Sequence, residues 1–286
     1  VSTWPNTVTL AGIVLDVDDG TSFRVVESLV GWDDAPGVRS GMVARAGQDG
    51  AWDATGNFSE RVVEIVGFVQ EPTMVAARAV ARQLSALRPQ SVHTFVVAES
   101  AAPASALSAR VRVTVGVKPV WVDDMSFGFT LQVTAPDMLR YGAVTFGSAS
   151  LSAASGGAGL TYPLVYPRDY GVAAGVTPGA VTVSNTGTAQ FWPVLRIDGP
   201  VTNPVVTAST GSWLRYTGSL LAGQWLDIDL GARTVLLNGQ VSHRFKVTGG
   251  GDWLAVPVGG ATFEFDADTA DPAALLSVYG FEGAFV

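Results

Sequence analysis

The chain has no cysteine, which removes disulfides, thiolate zinc sites and iron–sulfur clusters from consideration. Its stability must come from packing or assembly. Histidine is nearly as scarce, with only His93 and His243, each inside a strand-like segment and far apart in sequence. No G-x-S-x-G stretch supplies a nucleophile elbow beside either of them, so a Ser-His-Asp site is not expected. A phosphate-binding G-x-x-x-x-G-K-[ST] stretch is also missing, and Gly249-Gly250-Gly251 leads into a strand instead of opening a helix. No apolar run reaches the roughly 18 residues of a membrane-spanning helix. The first residues, VSTWPNTVTL, lack a basic stretch ahead of an apolar one, so no signal peptide is expected.

Positive charge is in short supply as well. Seventeen basic residues face 25 acidic ones, for a net charge of −8 and a pI near 4.7, the wrong sign for a protein that grips phosphates. All the basic residues except Lys118 and Lys246 are arginine, which together with the Ala, Gly and Val content suggests a GC-rich genome. What the chain does have is 286 residues, long enough for two domains, and a composition (48% hydrophobic, 33 Gly, 15 Pro, 8 Trp) that suits many short strands joined by turns.

The patterning agrees. "TVTLAGIVLDV" and "TSFRVVESLVGW" alternate around Asp19-Gly20. In "ERVVEIVGFVQ" (60–70), Val63, Ile65, Gly67 and Val69 form the expected core face, and Val62, Glu64, Val66 and Phe68 the other. The Gly- and Asp-rich stretch 33–58 reads as loops around short strands. One helix is expected near 73–88, because Met74, Ala77, Val80, Ala81, Leu84 and Leu87 share a stripe between Pro72-Thr73 and Pro89. Residues 147–179, rich in Ser, Ala and Gly with Pro163, Pro167 and Pro178, read as an extended linker between a first domain (1–146) and a second (180–286). In the second, turns about every 8 to 12 residues point to a sandwich or barrel. Within "WLDIDLGARTVLLNGQ" (225–240), Asp227 and Asp229 alternate with Leu226, Ile228 and Leu230, Arg233 is placed to pair with Asp229, and Asn238-Gly239 marks a hairpin. That meander reads as a solvated acidic face and not as a catalytic pair.

Several constellations are candidates for chemistry. Asp16-Val17-Asp18-Asp19-Gly20 with Glu27 fails as a calcium loop, since its glycine falls one position early and strands flank it. Asp266, Asp268 and Asp271 could gather a calcium ion, although acidic loops between strands are usually solvated. Asp33-Asp34 and Asp123-Asp124 are the acid pairs a glycosidase would draw on, but nothing in the sequence sets their separation. Trp213, Tyr216 and Trp225 could form a sugar-stacking platform, or could be core aromatics. The platform would make the second domain a carbohydrate-binding module that contacts host cell-wall polysaccharide.

An ordered series of motifs in the second half carries a resemblance. "SNTGTAQFWPVLRIDGPVTNPVV", "GQWLDIDLGARTVLLNG" and "DWLAVPVGGATFEF" resemble the C-terminal domain of the distal tail proteins of long-tailed phages, a family also called minor tail proteins. The matching positions are Asn185, Gly187, Ala189, Pro193, Gly199, Pro200, Asp229, Arg233, Val235, Asn238, Gly239, Trp253, Pro257, Phe263 and Phe265, with Val258 separating Pro257 from Gly259 as a departure. The first half is similar in outline, with "RSGMVARAGQDGAW", then "RVVEIVGFV", then a helix ending "ARQLSAL". The resemblance implies a mainly β protein: an N-terminal β-sandwich ring domain with one α-helix, and a C-terminal galectin-like β-sandwich. It implies a structural role in the virion, at the tail tip or baseplate, without catalysis, cofactor or resident metal. It further implies a homo-hexameric ring that joins the tail tube protein to tail-associated and fibre or receptor-binding proteins. DNA would pass through that ring without specific binding, and no membrane would be involved. A net acidic protein suits such a conduit if acidic groups face the lumen.

Overall fold

The computed structural model describes residues 6–99, 102–153, 176–251, 253–268 and 271–286. The chain divides into two compact units, Val1–Ala143 with Phe285–Val286, and Val144–Ala284.

In the first unit six longer strands make up most of a ten-stranded sheet: β1 (Asn6–Leu10), β2 (Phe23–Val30), β3 (Arg61–Gln70), β4 (His93–Glu99), β5 (Ala102–Trp121) and β6 (Ser126–Ala135). Their order is β1-β4-β5-β6-β3-β2, and all neighbours are antiparallel. The long strand β5 pairs with β4 through its first half and with β6 through its second, and its register slips twice, between Val113 and Val115 and between Val115 and Lys118. Such irregularities bend a strand. Val8, Leu10, Phe95 and Val97 from one half of the sheet therefore share a core with Val26, Val63, Ile65, Phe127 and Leu131 from the other. Strand β3 presents its faces as its alternation predicts, with Val63, Ile65, Gly67 and Val69 inward. Gly67 is obligatory there, because a Cβ would stand 2.6 Å from the Val25 carbonyl oxygen and 2.7 Å from the Phe129 ring.

The single α-helix among the described residues, α1 (Met74–Ser85), starts where Thr73 caps it, its Oγ1 accepting from the Ala76 N–H at 3.2 Å. Such a cap contributes about 1 kcal/mol. Ala77, Val80, Ala81 and Leu84 are buried, as the stripe requires. Met74 is exposed, and Leu87, beyond the helix end, packs partly buried against the core.

The second unit is built on two larger antiparallel sheets. One runs β7-β17-β9-β12-β13-β14 and the other β8-β16-β10-β11-β15. In chain order the strands are β7 (Val144–Ser150), β8 (Gly179–Val183), β9 (Val194–Asp198), β10 (Val205–Ala208), β11 (Trp213–Tyr216), β12 (Trp225–Asp229), β13 (Thr234–Leu237), β14 (Val241–Ser242), β15 (Val247–Gly250), β16 (Ala261–Asp266) and β17 (Leu275–Phe281). Leu195, Ile197, Leu226, Ile228, Leu276 and Val278 are buried from the first sheet, and Val206, Leu214, Phe263 and Phe265 from the second.

Two boundaries differ from the sequence expectation. The first unit ends at Ala143, not at 146, and Phe285–Val286 belong to it. The expected linker at 147–179 begins and ends inside strands: β7 pairs with β17, Ser152–Ala153 pairs with Val176–Thr177, and β8 starts at Gly179. The remainder of that expectation, 154–175, lies outside the described residues. Two of the described glycines in 147–179 serve close packing. A Cβ on Gly147 would meet Val181 Cγ2 at 2.7 Å, and one on Gly179 would meet the Ser150 carbonyl oxygen at 2.4 Å.

Candidate interaction surfaces

The motif residues of the second unit form its turns and close contacts. Asn185 is 2% exposed, and its side chain is fully engaged. Its Nδ2 donates to the carbonyls of Ala189 (2.8 Å), Pro257 (3.1 Å) and Val256 (3.3 Å), and its Oδ1 accepts from the N–H groups of Gly187 (3.0 Å) and Ala284 (3.2 Å). Gly187 tolerates no side chain, since a Cβ would lie 2.0 Å from the Ala284 carbonyl oxygen. Pro193 accepts from the Leu230 N–H, and Gly199 and Pro200 are joined by a cis peptide bond. Asn238 (φ 50°) and Gly239 (φ 68°) make the expected tight turn between β13 and β14, with Asn238 Oδ1 also accepting from the Trp225 N–H at 3.1 Å. The Pro257 carbonyl accepts from Gly260, so the turn closes despite Val258. Trp253 lies under the Arg244 guanidinium at 4.4 Å. One expected pairing is absent: Asp229 Oδ1 accepts from the Ala232 N–H at 2.8 Å, and Arg233, at φ 56°, forms no ion pair among the described residues. The tight reversal after Asp229 leaves its carboxylate to close the turn.

The three aromatics do not make one platform. Strand alternation separates Trp213 from Tyr216, three positions on: Trp213 is 39% exposed and Tyr216 is buried, its hydroxyl bonded to His243 Nδ1 at 2.9 Å. Trp225 stands on the other sheet, with the Arg196 guanidinium 4.6 Å from its ring centroid and its Nε1 donating to Asp227 at 2.9 Å. Several of the acid candidates are occupied structurally. Asp268 takes two hydrogen bonds from Arg215 and one from Asn203, Asp266 accepts from the Ala267 N–H, and Asp271 from Ala273. Among the described residues no group of three or more acids, histidines or cysteines could hold a metal ion. Asp33 pairs with Arg140 at 2.7 Å, Asp34 accepts from the Gly31 N–H, Asp123 from Met125, and Asp19 from Thr21 and Ser22. These backbone bonds hold the Asp19 and Asp123 carboxyls below the usual range, with the hydroxyl of Ser126 the leading cause at Asp123.

Residues 186–275 match the family described as siphovirus-type tail component, C-terminal domain. The matched stretch lies within the second unit, Val144–Ala284. Over 98% of this chain and 99% of the other, the structure is similar to the SPP1 Dit (gp 19.1) protein, described as a paradigm of hub adsorption apparatus in phages infecting Gram-positive hosts, with a TM-score of 0.60 at 16% identity. A chain of the phage P2 baseplate in its activated conformation with Ca gives 0.50 at 10% identity, over 97% of this chain and 99% of that one. At such identities the likeness establishes a shared, mainly β fold across both units. No curated protein sequence matches the chain.

The first unit has features that its sequence only hinted at. Arg61 sits on the inward face of β3, 1% exposed, and donates to the carbonyls of Gly31, Trp32, Asp34 and Met138 at 2.7 to 3.1 Å. Burial first, and Arg140 second, push its pKa down. The same parity that placed Val63 inward could have flagged it. Residues 38–58 form a hairpin of two short strand pairs, Val38–Arg39 with Asn57–Phe58 and Val43–Ala44 with Ala51–Trp52. Val38, Met42, Val43, Trp52 and Phe58 are all exposed on it, Trp52 by 64%. Elsewhere in this unit a groove of about 690 Å³ runs between α1 and the β5–β6 turn, lined by Arg78, Arg82, Pro119, Trp121, Asp123 and Asp124.

Proposed function

We propose that the protein is a structural hub of a phage tail tip, which assembles through its first unit into a hexameric ring between the tail tube and the tail-associated and fibre proteins. The observation that carries this reading is the tail component match in the second unit, within a chain whose whole length shares the fold of a Dit hub protein. The exposed apolar residues of the 38–58 hairpin support it. A two-stranded ribbon is marginal in water alone, and five uncovered apolar side chains on one ribbon mark a surface made for contact. The role in this reading is non-catalytic, and Asp33, Asp34, Asp123, Asp266, Asp268 and Asp271, which might have served chemistry, close turns or pair with arginine. The net charge of −8 suits a channel through which DNA slides without sticking.

Light scattering on the purified full chain tests the assembly. Six times the 29.7 kDa chain mass is expected. A monomer that persists as concentration rises would overturn the ring.

A further inference from the structure

The sheet β8-β16-β10-β11-β15 turns one face to solvent, and its register places a specific set of side chains there. Trp213 stands opposite Thr207 on one side and Gly250 on the other, and Thr207 stands opposite Glu264. A Cβ on Gly250 would meet Trp213 Nε1 at 2.6 Å, Cε2 at 3.2 Å and Cδ1 at 3.4 Å, so the pyrrole ring lies across the bare backbone of β15. The indole is thus seated against the sheet and still 39% exposed. Two residues along the same strand and face, Arg215 is fixed by Asp268 at 3.0 and 3.1 Å, and Asn203 holds the other flank of that carboxylate at 2.6 Å. The Nε and Nη1 of Arg215, the Thr207 hydroxyl and the Glu264 carboxylate take no hydrogen-bond partner among the described residues.

We propose that this face carries a binding site for a neutral hexose chain, with one sugar ring stacked on Trp213 and its hydroxyls, or those of the next ring, bonded by Arg215, Thr207 and Glu264. An exposed aromatic ring flanked by fixed donors and free acceptors matches a sugar, which offers C–H faces and hydroxyls that both donate and accept. Neighbouring strands lie about 4.8 Å apart, so Glu264, two strands from Trp213, reaches a second ring of a disaccharide. The sign of the charge selects the class of polymer. Glu264, Asp266 and Asp268 outnumber Arg215 on this face, which disfavours anionic chains. Trp225 cannot serve in the same way, because Arg196 already covers its ring.

The test is retention of the full chain on immobilised lactose, maltose and mannan, followed by elution with the free sugar. Retention on at least one matrix, undiminished in 0.5 M salt, is expected. Trp213→Ala should weaken it at least tenfold, and Trp213→Phe, which keeps an aromatic face, should hold within about threefold of the native chain. Trp213→Leu covers Gly250 without an aromatic face and should behave like the alanine variant. No retention on any of the three matrices overturns the proposal. So does retention that survives in Trp213→Leu, or that salt abolishes, since the residue would then only shield the glycine or the capture would be ionic. The outcome is independent of whether the chain forms a ring.

Discussion

Replacing Asn185 by alanine tests how the second unit is held together. Five hydrogen bonds converge on this buried side chain, and they are not equivalent. The Val256 and Pro257 carbonyls keep the N–H groups of Phe191 and Gly260 as partners when Asn185 is lost. The Gly187 and Ala284 N–H groups lose their acceptor. An orphaned buried donor costs about 1–3 kcal/mol, so two of them, eased by whatever water enters the vacated space, predict a loss of roughly 3–4 kcal/mol. For a unit of this size that corresponds to a fall in Tm of about 10 °C or more. Asn185→Asp should be worse near neutral pH, because it turns a carboxylate oxygen toward three carbonyls. Urea unfolding followed by hydrogen exchange and mass spectrometry reads the two units separately. The loss should be confined to strands of the second unit. A loss below about 1 kcal/mol, or an aspartate variant as stable as the native chain, would refute the argument that these bonds carry the turn cluster.

Other expectations follow from the same geometry. Gly187→Ala places a Cβ 2.0 Å from the Ala284 carbonyl oxygen, so soluble yield or melting temperature should fall at least as far as in Asn185→Ala. Arg61→Met should cost about 3 kcal/mol or more by leaving four carbonyls without their donor, and unfolding of the first unit in urea measures it. Burial, then Lys246, lowers the pKa of His243 below its ordinary 6.5. The folded state therefore binds fewer protons, and its advantage from this residue is full above pH 6.5 and declines as pH falls toward the folded pKa. His243→Gln should flatten that part of the stability profile between pH 7 and 5, and an unchanged slope would refute the assignment. Trp52→Asp with Met42→Asp should prevent ring formation while circular dichroism stays native, because both side chains are exposed in the single chain.

Much of the architecture was legible in the sequence because period and turn chemistry are local. The inward face of β3, the stripe of α1, the acidic outer edge of β12 and the Asn238-Gly239 turn all follow from alternation or from residues that accept positive φ. What escaped depends on contacts distant in sequence. Glycine and serine at 147–150 look the same in a flexible connector and in a strand pressed against Val181, and only the pairing of β7 with β17 distinguishes the two. The grouping of Trp213 with Tyr216 could have been rejected from their odd spacing, whereas the placement of Trp225 on the opposite sheet required the strand order. Arg233 was assigned to Asp229 by proximity, but a backbone N–H nearer in the turn takes that carboxylate. For Asp33, Asp34 and Asp123 the sequence offered pairs of acids, and the fold uses them to hold an arginine and two turns.

The central proposal is that this chain forms the ring of a tail hub, and electron microscopy of the purified full chain tests it most directly. Class averages should show sixfold rotational symmetry around an open channel, with the second units at the periphery. Particles of single chains, or a closed assembly without a central opening, would contradict the account.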